Sequence, residues 1–193
     1  MKKRICIFCS SSDKIDKLHF DTAEKIASIL IKAGYTIVCG GGSHGLMGKI
    51  INTAVKNGGD VVGIIPEFMR NVEWDSKELS QLIVVEDMRQ RKKQMIENVD
   101  AVVALAGGCG TLEELMEVIT LKRLGKFTKP IIILNTNGFY NHLEMLLIKM
   151  IDENFMNKQA VDIWKFIDNP EQIIAAIDNS ATWNSDAIKF AVV

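Results

Sequence analysis

Short apolar runs alternate with longer stretches of helical periodicity along this chain. The apolar runs predict buried strands at Arg4–Cys9, Thr36–Cys39, Val61–Ile65, Leu82–Val85, Ala101–Leu105, Pro130–Leu134 and Trp164–Ile167. The stretches between them predict helices at Leu18–Ala33, from the glycines after Cys39 to about Asn57, and at Met88–Asn98, Thr111–Leu124, Tyr140–Ile151 and Pro170–Asp178. Such alternation is typical of an α/β protein.

The fold class that follows is a doubly wound, Rossmann-like α/β fold, with a mostly parallel sheet and helices on both faces. At 193 residues the chain can bury a substantial core in one domain. We expect that domain to cover residues 1–179, with a tail over residues 180–193 for which the pattern predicts no element. The segment Glu67–Ser80 has no clear period, and it is either a lid or an irregular connection.

Two predicted strands run into glycine-rich loops that open helices. We call residues 106–111 the Gly107 loop and residues 40–48 the Gly40 loop. Glycine permits positive φ and close approach to a ligand, and free N–H groups at a helix start bind anions. In the Gly107 loop, Gly107, Gly108 and Gly110 are candidate phosphate-binding residues, and Thr111 is the predicted N-cap. The alternative is a tight β–α turn without a ligand.

Ligands in doubly wound sheets bind beyond the carboxyl ends of the strands. Both glycine loops therefore belong to one edge of the predicted sheet. The polar turn Ser10–Asp13, which we call the serine turn, follows the first strand and belongs to the same edge. It either contacts a ligand, through Ser10 for example, or simply caps the next helix.

The helix after the Gly107 loop carries three acids that face different ways. At about 100° per residue, Glu113 and Glu117 lie on the solvent side. Glu114 lies about 60° from Thr111, at the border of the buried face and near the loop. Glu114 is therefore the candidate catalytic carboxylate, although a first-turn acid can also serve only the helix dipole, the role we assign to Glu113.

The helix that begins at Met88 carries cations in its first turn, where they oppose the helix dipole. Arg91 and Lys92 flank the apolar face marked by Met95 and Val99. An anionic ligand at the strand ends would stabilise both cations. The alternative is that Lys92 extends to solvent and Arg91 pairs with an acid such as Glu86 or Asp87.

Composition narrows the function classes. Lys and Arg total 23 against 24 Asp and Glu, for a net charge of -1, so nothing favours binding to nucleic acid or an anionic membrane. No apolar run reaches the length of a membrane span or a signal-peptide core, so we expect a cytoplasmic protein.

The cysteines and histidines predict no redox or metal site. Cys6 and Cys9 form C-x-x-C inside a predicted strand, where positions three apart face opposite sides. His19, His44 and His142 lack metal-ligand spacing.

Neither glycine loop has the Gly-Lys-Ser/Thr of a Walker loop, and neither is a clean G-x-G-x-x-G motif, since the first strand leads into serines instead. The chemistry-bearing parts are a phosphate-binding loop, an arginine and a carboxylate, without an evident nucleophile. This set suits the binding of a nucleoside monophosphate and the cleavage of its sugar–base bond.

At these residues the chain resembles the Lonely guy family of cytokinin riboside 5′-monophosphate phosphoribohydrolases, many of which carry an older label of lysine decarboxylase. The family signatures P-G-G-x-G-T-x-x-E and M-x-x-R-K are matched by 107–114 and 88–92, and the G-G-G-x-x-G-L-M-G by 40–48. Two departures stand out. Ala106 replaces the usual proline, which loosens the start of the loop, and Arg89-Gln90 replaces His-Glu.

The resemblance implies hydrolysis of AMP or N6-modified AMP to free base and ribose 5-phosphate, by a homodimer without a cofactor. It implies catalytic roles for Arg91 and Glu114. Substrate binding falls on Gly107, Gly108, Gly110 and Thr111, and less directly on Met88, Gly41 and Gly42. Lys92 and Ser10 join this set from their positions beside the predicted ligand and not from the resemblance. The lysine decarboxylase label has no support, because no lysine stands out as a Schiff-base residue. The alternative function is a non-catalytic nucleotide or molybdenum-cofactor carrier with the same phosphate-binding loop.

Overall fold

One seven-stranded sheet organises the computed structural model, which describes residues 2–70 and 76–190. Its strands are β1 Arg4–Phe8, β2 Thr36–Cys39, β3 Val61–Pro66, β4 Gln81–Val85, β5 Ala101–Ala104, β6 Ile131–Leu134 and β7 Lys165–Ile167. They lie in the order β4-β3-β2-β1-β5-β6-β7, and every pairing is parallel. The predicted fold class is confirmed.

Five of the six helices in the described part of the chain lie between successive strands, and the sixth follows β7. They are α1 Lys17–Lys32, α2 Gly45–Lys56, α3 Met88–Ile96, α4 Cys109–Arg123, α5 Asn141–Asp152 and α6 Ile173–Asp178. Short 3-10 turns cover Glu67–Met69, Thr136–Gly138, Lys158–Asp162, Pro170–Gln172 and Ser185–Phe190. None of the helices in the described part of the chain is both long and apolar enough to cross a lipid bilayer.

The apolar strands are buried on both faces because alternate residues enter two different cores. Ile5 and Ile7 of β1 pack on the side of α1, α2 and α6. Cys6 and Phe8 pack on the side of α3, α4 and α5. Cys9 joins the first core, so the predicted opposite orientation of Cys6 and Cys9 is confirmed.

The strand order reverses between β1 and β5, which creates the crevice where ligands bind in such sheets. The backbone N–H of Ser10, just past β1, donates to the carbonyl oxygen of Ala106, just past β5 (3.2 Å). This bond brings the serine turn and the Gly107 loop together at the carboxyl edge of the sheet.

Two residues of the segment after residue 75 contact the Gly40 loop and β3. The Ser76 N–H donates to the Gly41 carbonyl oxygen (3.0 Å), and Leu79 lies against Gly63. Residues 71–75, which include Trp74, lie outside the described residues, so the choice between a lid and an irregular connection stays open.

Part of the predicted tail contacts the domain. The indole N–H of Trp183 donates to the carbonyl oxygen of Lys122 at the end of α4 (2.6 Å), and Ala187 is buried. The proposed boundary at residue 179 stays a prediction.

Candidate active site

A cavity of about 270 Å³ opens at the carboxyl ends of β1, β2 and β5, and we call it the main cavity. Its lining comes from the serine turn, the Gly40 loop, α3 and the start of α4. The lining residues are Ile7, Phe8, Cys9, Ser10, Ser11, Ser12, Gly40, Met47, Arg91, Met95, Gly108, Gly110, Thr111 and Glu114. Segments far apart in the sequence therefore meet at the switch point of the sheet.

Arg91 reaches this cavity from α3 with its side chain buried beneath the Gly40 loop, and the residue is only 5% exposed. Its Nε donates to the carbonyl oxygen of Ile64 on β3 (3.2 Å). Its Nη1 lies 3.8 Å from the sulfur of Met88 and 3.9 Å from that of Met69. These contacts hold a guanidinium, which is always charged, at the cavity wall.

Gly40 provides the space that this guanidinium occupies. A Cβ built on Gly40 would overlap Nη2 of Arg91 and would lie 3.1 Å from the sulfur of Met47. Only glycine therefore fits at this position while Arg91 keeps its place. Glu86 and Asp87, the acids offered by the sequence as partners of Arg91, bind Gln90 through its side-chain amide and its backbone N–H, respectively.

Glu114 lines the main cavity from the second turn of α4, as the helical periodicity predicts. Glu113 is exposed and points away from the cavity, but it does not simply face water. It pairs with Lys92 of α3, which also pairs with Glu117 (2.8 Å). Both acid side chains are exposed to solvent, as the helical periodicity predicts, and they also form an ion-pair cluster with Lys92 that joins α3 and α4.

The charges of Arg91 and Glu114 both change the pKa of one buried group, the Cys6 thiol on β1. Burial raises the pKa of the Cys6 thiol well above its ordinary value, and the Glu114 carboxylate raises it further. Arg91 lowers the pKa of the same thiol. The two candidate catalytic groups therefore lie close enough to β1 to oppose each other electrostatically.

In the Gly107 loop, space requires a glycine at Gly107, and none of the three glycines of the loop has positive φ. Gly108 has φ −85°, and positive φ, expected in this loop, is found instead at Gly41 and Gly45 of the Gly40 loop. A Cβ on Gly107 would overlap the hydroxyl of Thr111, whereas a Cβ on Gly108 would meet no atom within 4 Å.

The start of α4 is open to a ligand. The helix begins at Cys109 with Gly108 as N-cap, so the prediction of Thr111 as N-cap is wrong. Thr111 lies inside the first turn, and its hydroxyl lies close to Gly107. The N-cap residue Gly108 has no side chain to cap this helix start, and Gly108, Gly110 and Thr111 all line the cavity. Such a start presents N–H groups to an anion.

The start of α2, in the Gly40 loop, is instead closed by the protein itself. The Gly45 N–H donates to a carboxylate oxygen of Asp13 (2.8 Å), and the Leu46 N–H donates to the Ser10 carbonyl oxygen (3.0 Å). The Gly45 N–H, together with His44, lowers the pKa of Asp13. The serine turn thus caps α2, whereas the next helix, α1, has Asp16 as its N-cap.

The structure brings together six of the predicted site residues. Arg91, Glu114, Ser10, Gly108, Gly110 and Thr111 all line the main cavity. The other predicted residues lie nearby: Gly107 lines an adjoining cavity, Met88 contacts Arg91, Lys92 pairs with Glu113 and Glu117, Gly41 packs on Gly63, and the Gly42 N–H contacts the sulfur of Met47.

Sequence reasoning did not single out Gly40, Ser11, Ser12 and Met47. The run of three glycines at 40–42 was the only signal in the sequence for Gly40. The sequence does not indicate which glycine of the run contacts Arg91, because that depends on the tertiary structure.

A family model described as "Possible lysine decarboxylase" matches residues 47–177. Cytokinin riboside 5′-monophosphate phosphoribohydrolase LOG2 of Arabidopsis thaliana is 39% identical over 187 residues, which cover 96% of this chain and 87% of the relative. The LOG5 enzyme of the same plant is 36% identical over 176 residues, which cover 91% of this chain and 77% of the relative. The chain belongs to this family. The resemblance predicted from its motifs is confirmed.

A solved structure with lower sequence identity than these relatives shares the fold of this chain. The molybdenum cofactor carrier protein of Chlamydomonas reinhardtii matches with a TM-score of 0.71 at 18% identity, covering 92% of this chain and 97% of the carrier. At that identity the likeness concerns the fold alone.

Among the described residues that line the main cavity there is no lysine. Within residues 2–70 and 76–190, no three His, Cys, Asp or Glu side chains cluster as metal ligands would.

Proposed function

We propose that this protein hydrolyses the N-glycosidic bond of nucleoside 5′-monophosphates, AMP or N6-modified AMP, to free base and ribose 5-phosphate. The observation that carries the proposal is that Arg91 and Glu114 line one cavity at the open start of α4. The proposal draws further support from the relatives named as cytokinin riboside 5′-monophosphate phosphoribohydrolases.

The phosphate binds at the start of α4 in this proposal. The first-turn N–H groups of a helix lack intrahelical partners and favour an anion, and here they lie beside Gly108, Gly110 and Thr111. Gly107 keeps the loop close to Thr111, and Ser10 also lines the cavity.

Glu114 acts on the sugar. Glycosidic cleavage passes through a cation-like sugar, by analogy with O-glycoside hydrolysis, and a nearby carboxylate stabilises that charge. The same carboxylate positions or activates the water that attacks the anomeric carbon.

Arg91 holds the phosphate or the departing base. Its guanidinium stays protonated, so it does not donate the proton that the leaving base requires. Met88, Gly41 and Gly42 act indirectly, since Met88 contacts Arg91 and the two glycines shape the loop above it.

We also propose a homodimer. A groove of about 420 Å³ runs between α4 and α5, and its apolar lining includes Met116, Ile119, Leu146 and Phe155. Leu146 and Phe155 are exposed in the single chain, and contiguous apolar patches of this kind mark interfaces. A Leu146→Glu variant should shift the mass measured by light scattering from dimer to monomer. A wild-type monomer at all concentrations contradicts the dimer.

A cytoplasmic location and a reaction without a cofactor complete the proposal. The four cysteines are free thiols, which suits a reducing compartment. Hydrolysis of a glycosidic bond needs only water as co-substrate.

The decisive experiment is incubation of the protein with AMP and with its N6-isopentenyl derivative. Chromatography should detect free base and ribose 5-phosphate in equal amounts. Saturable binding of both nucleotides without either product would contradict the enzyme and favour a carrier.

A further inference from the structure

Tyr140 lies directly before α5, and only 2% of this residue is exposed. Its hydroxyl donates to the carbonyl oxygen of Leu105, the residue that follows β5 (2.8 Å). Tyr140 is not among the described residues that line the main cavity. It therefore contacts the main chain where the chain leaves the sheet for the Gly107 loop, and any role in the site must act through that loop.

This hydrogen bond belongs to a set of three that hold successive peptide units. The Leu105 N–H donates to the carbonyl oxygen of Phe8 on β1 (2.9 Å), and the carbonyl oxygen of Ala106 accepts from the Ser10 N–H (3.2 Å). The Leu105 carbonyl lies between these two groups and shares a planar peptide with the Ala106 N–H. The first and third bonds come from the main chain, whereas the middle one depends on the side chain of Tyr140.

Tyr140 is itself held by Asn135, which follows β6 and is 6% exposed. Oδ1 of Asn135 accepts from the backbone N–H of Tyr140 (2.7 Å), and its Nδ2 donates to Oδ1 of Asn141 (2.8 Å). The same Nδ2 lies 3.4 Å from a carboxylate oxygen of Asp168, which follows β7. The network links the carboxyl ends of β5, β6 and β7, so the hydroxyl of Tyr140 has a rigid support.

The hydroxyl of Tyr140 remains a donor, because burial raises the pKa of Tyr140 above its ordinary value. Leu105 is only 2% exposed, so water does not readily replace this donor. A buried carbonyl without a partner is unfavourable. Loss of the hydroxyl therefore favours a turn of the peptide between Leu105 and Ala106 toward another donor, and such a turn moves Gly107.

The Gly107 loop has little tolerance for such a movement. Gly107 lies so close to Thr111 that a Cβ would overlap the threonine hydroxyl. Gly108 is the N-cap of α4 and lines the main cavity. Binding of an anion at a helix start depends on the directions of the first N–H groups, because hydrogen bonds weaken steeply when they are bent.

We propose that Tyr140 is a positioning residue for the phosphate site, since its hydroxyl holds the Leu105 carbonyl and thereby orients the Gly107 loop and the start of α4. The inference rests on the proposed function, in which the phosphate binds at the start of α4. It deepens that function by assigning a role to a buried residue that does not contact the substrate.

The test uses ribose 5-phosphate as the probe of the phosphate site. Calorimetry measures its dissociation constant for wild type and for Tyr140→Phe, which loses only the hydroxyl. We expect the variant to bind ribose 5-phosphate about tenfold more weakly, a loss equal to that of one hydrogen bond to a charged group. KM for AMP should rise by a similar factor, with a smaller change in kcat.

Urea unfolding of the same proteins separates positioning from stability. A merely structural hydroxyl would lower the free energy of unfolding of Tyr140→Phe and leave the affinity of the folded protein for ribose 5-phosphate unchanged. Tyr35→Phe is the matched control, because Tyr35 is also buried but lies before β2, at the amino end of the sheet. Its dissociation constant should stay within about twofold of the wild-type value.

Asn135→Ala provides a second variant. It keeps the hydroxyl of Tyr140 but removes the acceptor of the Tyr140 N–H, so we expect affinity for ribose 5-phosphate to fall about threefold. If Tyr140→Phe does not fold, Asn135→Ala decides the question by the same measurement. Wild-type affinity in the deciding variant overturns the positioning role, even where its free energy of unfolding falls.

The outcomes separate the positioning role from the activity. If wild-type protein binds ribose 5-phosphate and Tyr140→Phe binds it more weakly, but AMP releases no base, the enzyme proposal fails and the positioning role stands. If wild-type protein hydrolyses AMP and Tyr140→Phe keeps its affinity for ribose 5-phosphate, only the positioning role fails. If wild-type protein does not bind ribose 5-phosphate, the phosphate site and the positioning role fail together.

Discussion

Nζ of Lys92 lies 2.8 Å from a carboxylate oxygen of Glu117, and it also pairs with Glu113. These ion pairs join α3 to α4. They lie next to the proposed catalytic groups, because Arg91 precedes Lys92 and Glu114 follows Glu113. The Lys92 side chain is only 16% exposed, and its hydrogen bonds to Glu113 and Glu117 raise its pKa. We therefore expect Lys92 to position the site rather than to contact the substrate.

Lys92→Met tests this positioning. The change leaves Glu113 and Glu117 to repel each other and releases α3 from α4, so we expect kcat for AMP hydrolysis to fall about tenfold with a smaller change in KM. Lys92→Arg should restore most of kcat because it keeps both ion pairs. Lys93→Met, which removes an exposed neighbouring charge, is the control. Wild-type kcat in Lys92→Met would show that the ion pairs do not position the site.

Glu114→Gln separates binding from turnover. The amide keeps the size of the side chain but cannot stabilise a cation or activate water, so we expect turnover of AMP to fall by about a thousandfold. The dissociation constant for AMP should change by less than about threefold. Steady-state kinetics and calorimetry provide the two numbers, with the exposed Glu97→Gln as control. Turnover near the wild-type rate would remove Glu114 from the mechanism.

Gly40→Ala should impair activity by displacing Arg91. The added Cβ would overlap Nη2 of Arg91, so the guanidinium must leave its place in the cavity wall. We expect a loss of kcat/KM of about a hundredfold, similar to that of Arg91→Ala. The double variant should be little worse than either single variant, because both act through one side chain. Additive losses would mean that Gly40 serves another purpose.

Lys122 should make stability depend on pH in the alkaline range. Lys122 is 1% exposed, and burial lowers its pKa from 10.5 to about 8. Between these values the unfolded chain binds more protons than the folded protein, so this lysine makes the free energy of unfolding rise with pH from about 8 to about 10.5. Below about pH 8 its contribution is constant.

The comparison with Lys122→Met isolates this effect in urea unfolding at several pH values. Cys6 acts in the opposite direction, because its raised folded-state pKa makes stability fall as pH rises above about 9. Cys6 is present in both wild type and Lys122→Met, so its effect cancels in the difference between them. The difference in unfolding free energy between wild type and Lys122→Met should therefore shift in favour of wild type from pH 8 to pH 10. A constant difference would mean that the lysine keeps its ordinary pKa.

Much of the fold could be predicted from the sequence. Parallel strands buried on both faces read as continuous apolar runs, so the predicted strand bounds differ from the observed ones by no more than one residue at each end. Helical periodicity likewise separated Glu114 from Glu113, because it depends only on the angle between successive residues. Local pattern was sufficient for both.

The missed features depend on contacts between distant segments. Gly41 and Gly42 were named as site residues and Gly40 was not, since the importance of Gly40 comes from a side chain on α3. The ion pairs of Lys92 require the relative placement of α3 and α4, which no periodicity encodes. Thr111 had the residue type of an N-cap, but Gly108 holds that position, so type alone was misleading.

The serine turn has a consequence for ligand selection. Asp13 places a carboxylate oxygen 2.8 Å from the Gly45 nitrogen, so an anion of the protein itself occupies the start of α2. The lowered pKa of Asp13 keeps that carboxylate ionised. A phosphate would have to displace this carboxylate to reach the N–H of Gly45. We therefore expect anionic ligands to be excluded from the start of α2 while Asp13 keeps its place.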